Sequence, residues 1–153
     1  ALAGFLRAEG MELSHIKPHG ALFGMAQNDP EVAEGIADAA EIFGVPVIAF
    51  SDCCMSEVFV RRGIPFSCEF YVDLDYGDDG RQIISREHPP IAADAVAEKV
   101  RNAVEDGVTR ALSGRVVRVV AESICVHSDT PNAIVVARAV HEELGRRGLL
   151  PSG

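Results

Sequence analysis

The segment from Asp29 to Gly63 constrains the fold most. Asp29-Pro30 supplies an N-cap and a first-turn proline, and Val32, Ala33, Ile36, Ala37, Ala40 and Phe43 then recur at helical spacing until Gly44. Val45–Phe50 is a short apolar run, the pattern of a strand buried on both faces. A short helix starts at Ser51 or Asp52, passes Met55, Val58 and Phe59, and ends at Gly63. Helices alternating with such strands over short joints predict parallel βα units and an α/β fold.

The rhythm continues on both sides. Residues 1–9 read as a helix entered in mid-element, with Leu2, Phe5 and Leu6 already in step, and Glu12–Pro18 reads as a strand. Between Pro65 and Pro90 the regularity breaks. Ser67–Val72 fits a strand, Asp73–Gly80 is acidic and turn-rich, and Arg81–Ser85 follows, which predicts a loop or small hairpin over the sheet. Ile91–Asp106 is helical, with Val96, Val100, Ala103 and Val104 on one face and Gly107 after it. Val116–Ala121 is β-branched, and Ser123–Val126 either extends it or forms a second strand. The last helix is expected to open at Thr130-Pro131, to carry Ala133, Val136, Ala137, Val140 and Leu144, and to end near Gly148.

With 153 residues the chain is expected to form a single domain holding about four βα units. A closed eight-stranded barrel takes about 250 residues. The sheet is therefore open, or it is part of a barrel completed by other residues. The mid-helix start predicts a piece of a longer protein or one half of a split one.

Composition narrows the partners. Hydrophobic residues at 48% and charged residues at 24% suit a folded chain rather than a disordered one. A net charge of −9 without a Lys/Arg run disfavours nucleic acid. No apolar stretch reaches the roughly 18–20 residues of a membrane span, and no leader pattern is visible, so the expected compartment is the cytoplasm. Cys53, Cys54, Cys68 and Cys125 fit neither a CxxC pair nor a zinc spacing, and are expected to be reduced and mostly buried.

Three groups of residues fall where strands end, the place at which parallel α/β folds bind ligands. In His15-Ile16-Lys17-Pro18-His19-Gly20 an extended backbone puts His15, Lys17 and His19 on one face. Three cationic groups make a poor core, so this strand end is read as facing a ligand. Cys125-Val126-His127-Ser128-Asp129 precedes a helix; His127 and Asp129 are an acid/base pair by type, and the amides of Asn132 and Ala133 could receive an anion. The structural alternative is that Asp129 or Thr130 caps that helix. Glu69 and Asp73 share a face and suit proton transfer or metal binding, against the alternative of solvated loop charge, which is the expectation for Asp75, Asp78 and Asp79. Neither GxxxxGK[ST] nor GxGxxG occurs.

Together these segments resemble the LamB/YcsF family, which supplies one component of the bacterial ATP-dependent 5-oxoprolinase. The family's HVKPHGALYN pattern is matched by His15 to Gly24, its E-x-F-A-D-R-x-Y-x-x-D-G pattern is echoed by Glu69 to Gly80, and its C-V-H-G-D-T-P pattern is matched by Cys125 to Pro131. The resemblance implies a distorted (β/α) barrel similar to that of carbohydrate deacetylases, of which this chain is the C-terminal part. It implies a component of an ATP-dependent lactam hydrolase, acting on 5-oxoproline with ATP and possible Mg²⁺ or another divalent metal. The missing barrel segment would come from an N-terminal complementary chain, alongside other 5-oxoprolinase-type subunits. Under this resemblance Lys17 neutralises phosphate or an oxyanion, His19 and His127 transfer protons, and Glu69, Asp73 and Asp129 orient water, base or a metal-bound phosphate. His15, Gly20, Arg86 and Thr130 bind substrate. Three departures stand out: Leu74 replaces the pattern's arginine, Ser128 its glycine, and Phe23-Gly24 its Tyr-Asn. The losses at Leu74, Phe23 and Gly24 favour a second reading, a non-catalytic half that binds a small carboxylate or scaffolds an assembly, while the retained Lys17, His19, His127 and Asp129 oppose it. A metal-dependent deacetylase relative is a third, by fold analogy alone.

Overall fold

A computed structural model describes residues 2–85 and 89–150, so Arg86 lies outside the described residues. The chain divides into two compact units, Ala1–Cys68 and Glu69–Gly153.

The first unit contains α1 (Leu2–Ala8), α2 (Gly20–Ala26), α3 (Pro30–Phe43), β1 (Val47–Ala49), α4 (Cys54–Arg62) and the start of β2 (Phe66–Tyr71). The N-cap and C-cap signals of α3 act as expected. The Asp29 carboxylate accepts from the amides of Glu31 at 2.9 Å and Val32 at 3.4 Å. Gly44 and Gly63 close α3 and α4 at φ +63° and +66°, a left-handed backbone that costs glycine nothing. The N-cap of α4 is Cys53 rather than Ser51 or Asp52, because the Ser56 hydroxyl accepts the Cys53 amide at 3.0 Å. Asp52 itself is left-handed at φ 54°. β1 is buried and pairs in parallel with β2, from Val47 opposite Phe66 to Ala49 opposite Cys68.

The strand expected over Glu12–Pro18 contracts to one parallel bridge, Ile16 opposite Val47. Ile16 donates to the Pro46 carbonyl at 2.9 Å, and Ile48 donates to the Ile16 carbonyl at 2.8 Å. The next ladder donor on one side is residue 18 and on the other residue 46. Both are prolines and have no N–H to give. Helix α2 was not expected from the sequence; it follows His19 directly and buries Phe23 and Ala26.

The second unit holds the rest of β2, then β3 (Asp75–Tyr76), β4 (Gln82–Ile83), α5 (Ala93–Arg101) with a π-helical turn at Asn102–Asp106, β5 (Val108–Arg110), β6 (Val116–Arg118), β7 (Ser123–Cys125) and α6 (Ala133–Arg146). The expected small hairpin is β3 paired antiparallel with β4. The β-branched run at Val116 folds back antiparallel on β5, through a turn in which Gly114 donates to the Ala111 carbonyl at 2.8 Å. The parallel partner of β2 is instead β7, from Glu69 opposite Ser123 to Tyr71 opposite Cys125. The fold is thus mixed α/β around parallel pairing. Helix α6 begins at Ala133 behind Asn132, later than Thr130-Pro131. The Asn132 amide group is committed to the backbone of Ile91, accepting at 3.2 Å and donating at 2.7 Å. Val136 and Val140 are buried as expected, but Ala139 and Glu143 complete that face while Ala137 is exposed. Among the described residues no helix is long and apolar enough to cross a membrane.

Phe59 is fully buried and lies 5.9 Å from Phe66, ring centre to ring centre. Phe59→Ala should cost about 3–5 kcal/mol in urea unfolding, whereas Ile42→Ala, at a position 80% exposed, should stay within about 0.5 kcal/mol.

Candidate functional site

Register and the two-residue period of a strand build the site in the second unit. Glu69, Tyr71 and Asp73 point to one face of β2 and its extension. The pairing of Glu69 with Ser123 and of Tyr71 with Cys125 places Ser123, Cys125 and His127 on the same face of the neighbouring strand. One step further, Asp73 comes opposite His127. There the Asp73 side chain takes over from the backbone as acceptor. It receives the His127 amide at 2.5 Å and meets the ring Nδ1 at 2.9 Å.

This geometry fixes the imidazole twice. A carboxylate only accepts, so Nδ1 carries the proton and Nε2 is the nitrogen left for proton transfer in the neutral ring. The Asp73 side chain is 0% exposed, whereas that of His127 is 38% exposed. The pair therefore joins a fully buried carboxylate to a part-exposed imidazole. Tyr71 stacks on the His127 ring at 5.7 Å and 16°. Burial, then the charge of Glu69 and a hydrogen bond to it, hold the Tyr71 phenol far above the usual tyrosine range. Tyr76, fully buried and stacked 5.4 Å from Phe70, accepts the Tyr71 amide at 3.0 Å. Its phenol is also raised, chiefly by burial.

The other expected residues fall as follows. Glu69 is buried, so neither it nor Asp73 is solvated loop charge. Asp129 is exposed in the turn, and neither it nor Thr130 caps α6; the Thr130 hydroxyl donates to the His127 carbonyl at 2.9 Å. The Ala133 amide, a candidate anion donor, bonds the Thr130 carbonyl at 3.2 Å. In the first unit the alternation around Ile16 persists without a ladder: Pro18 is buried while His15 and His19 are exposed. His15 Nδ1 lies 2.9 Å from the Ser14 hydroxyl, and Lys17 is half-buried. His19 stands at the N-cap position of α2 without a side-chain cap bond, and Gly20 begins that helix at φ +56°.

Of the departures, Phe23 and Leu74 are both buried core residues. Ser128 adopts no positive φ, so the turn does not need the glycine. All four cysteines are free, with Cys53 and Cys68 buried and the other two half-buried. Among the described residues, no three His, Cys, Asp or Glu side chains group as metal ligands. Sequence reasoning missed Tyr71 and Tyr76. The alternation that paired Glu69 with Asp73 also includes Tyr71, and that signal was available.

A LamB/YcsF family model matches residues 1–150. The chain belongs to the LamB/YcsF family. It is 34% identical to the 5-oxoprolinase A subunit of Mycobacterium avium (strain 104) and 38% identical to one from Thermus thermophilus, in each case over 97% of this chain and 61% of the relative. The crystal structure of a lactam utilization protein from Thermus thermophilus superposes with a TM-score of 0.87 at 34% identity, covering 97% of this chain and 60% of that one. The chain thus spans about three-fifths of the length of the relatives it matches. In family terms, Asp73 and His127 come from two different motifs that the β2–β7 register brings together.

The buried phenols predict an alkaline limit. Tyr71 and Tyr76 hold their protons more tightly folded than unfolded, where tyrosine titrates near 10. Their contribution to stability is complete below about pH 10 and is lost above it at about 1.4 kcal/mol per pH unit each. Lys99, pushed down by burial, acts in the opposite sense up to about pH 10.5. Tyr71→Phe should therefore flatten the fall of Tm above pH 10; a slope equal to wild type would contradict the assignment.

Proposed function

We propose that this chain is the part of a 5-oxoprolinase-type lactam hydrolase that moves the proton needed for ring opening. The observation that carries this reading is the buried Asp73 carboxylate bonded to both the amide and Nδ1 of His127. The names of the relatives, an A subunit of 5-oxoprolinase and a lactam utilization protein, support the substrate class. In the proposed step Nε2 of His127 takes a proton from water as its oxygen attacks the lactam carbonyl carbon. The imidazolium, stabilised by Asp73, returns that proton to the ring nitrogen as the C–N bond breaks. From 5-oxoproline the product is glutamate. Glu69 and Tyr71 hold the ring face against which His127 stacks.

For Lys17 and His19 the proposal rests on the motif and on residue type: Lys17 neutralises an oxyanion or phosphate, and His19 transfers a proton or binds substrate with His15 and Gly20. ATP dependence rests on the family resemblance alone; it is read out as phosphate released per glutamate formed. We also propose that further chain completes a (β/α) barrel in the cytoplasm, with other subunits of the enzyme. The relatives are longer than this chain, and α1 buries none of its residues, with Leu2 and Phe5 exposed. Native mass and co-purifying proteins test this: a stable, active monomer would refute it.

Leu74, buried where the family pattern carries an arginine, favours the second reading of a non-catalytic binder of small carboxylates. Turnover separates the two. In the assembled enzyme His127→Ala, Asp73→Asn and Lys17→Ala should each lower kcat by about 10²–10⁴-fold with the fold intact. Wild-type rates in His127→Ala would end the catalytic reading, while calorimetric 5-oxoproline binding without any turnover by wild type would favour the binder.

A further inference from the structure

One charged side chain in the second unit has no part in the proton transfer itself, yet is built into its base. Lys99 projects from α5, on the stripe that also carries Val96, Val100 and Ala103, all buried. Its stem thus lies along apolar surface while its head reaches polar groups. The ammonium donates to the carbonyl of Val72 at 3.3 Å and to that of Leu74 at 3.0 Å. These are the residues on either side of Asp73. A lysine aimed at two carbonyls that bracket one buried carboxylate does more than fill space. It pins the peptide groups whose orientation decides where the Asp73 oxygens point.

We propose that Lys99 is a positioning residue for His127: by holding the carbonyls that flank Asp73, it aims the carboxylate that selects the Nδ1–H tautomer. This rests on the reading of His127 as the proton-transfer group and identifies what keeps that group in register. The far side of the same segment is held by Tyr76, which accepts the Tyr71 amide at 3.0 Å. The Asp73 turn is therefore clamped from two elements. Charge is involved as well as geometry. Burial pushes the Lys99 ammonium below its ordinary range, and the nearby carboxylates of Asp75 and Asp73 oppose that push. Loss of the side chain would leave two part-buried carbonyls without a donor and remove a cation from beside a carboxylate that has no solvent access.

The test compares Lys99→Met with Lys99→Arg in the full chain, using long-range ¹H–¹⁵N correlation of the histidine ring nitrogens. His127 is assigned by its loss in His127→Gln. Wild type and Lys99→Arg should show His127 as the Nδ1–H tautomer, and Lys99→Met should show a mixture. In the assembled enzyme Lys99→Met should lower kcat by about 10–100-fold, as loss of an orienting group does, with KM within about twofold; a merely structural lysine would shift Tm and leave the tautomer alone. If the Met variant fails to fold, Lys99→Leu, uncharged and without a donor, gives the same reading. A folded variant with an unchanged tautomer and kcat would overturn the inference. A wild-type His127 lacking the Nδ1–H tautomer, or turnover surviving His127→Ala, would instead remove the Asp73–His127 pair itself, and the role of Lys99 with it.

Discussion

A carboxylate with no exposed surface is expensive unless its oxygens are bonded, and Asp73 meets that demand at the end of a parallel ladder. Where the strands part, the His127 amide would otherwise look for a backbone acceptor, and the aspartate supplies one. The same group then orients the ring belonging to that amide. Closing the sheet and aiming the imidazole are thus a single interaction. Tyr71 stacked on the ring, Tyr76 under the Tyr71 amide and Lys99 on the flanking carbonyls all act through it.

Much of the fold was legible in the sequence because local signals and tertiary demands agreed. Asp29-Pro30 and Gly44 bound α3, Gly63 ends α4 and Gly107 ends the helical stretch after Ala93. The reading failed where pairing depended on a partner's chemistry. Glu12–Pro18 has strand composition, but Pro46 in the neighbouring strand is as important as Pro18 in denying it a ladder. Val116–Arg118 has the β-branched residues of a central strand, yet the turn at Ser113-Gly114 sends it back on β5. Thr130-Pro131 resembles a helix start, but Asn132 is held by Ile91 and Thr130 by His127.

The candidate site was legible in part for the same reason. His127, Asp73 and Glu69 stand out by residue type and by place, but the side chain that the His127 ring meets is Asp73 and not the nearby Asp129. The partner lies 54 positions away, and only the β2–β7 register reveals it. Lys99 could not be seen in advance, since a lysine on a helix usually marks the solvated face. Leu74 reads as a lost cation; in the structure it is core, and a cation from α5, Lys99, donates to its carbonyl.

The two prolines around Ile16 have a consequence for motion. A segment joined to its neighbour by two main-chain hydrogen bonds, each worth about 1 kcal/mol net, detaches far more cheaply than β1 or β2, whose side chains form the core. His15, Lys17 and His19 are therefore carried on a stretch that the parallel ladder holds at a single residue, Ile16.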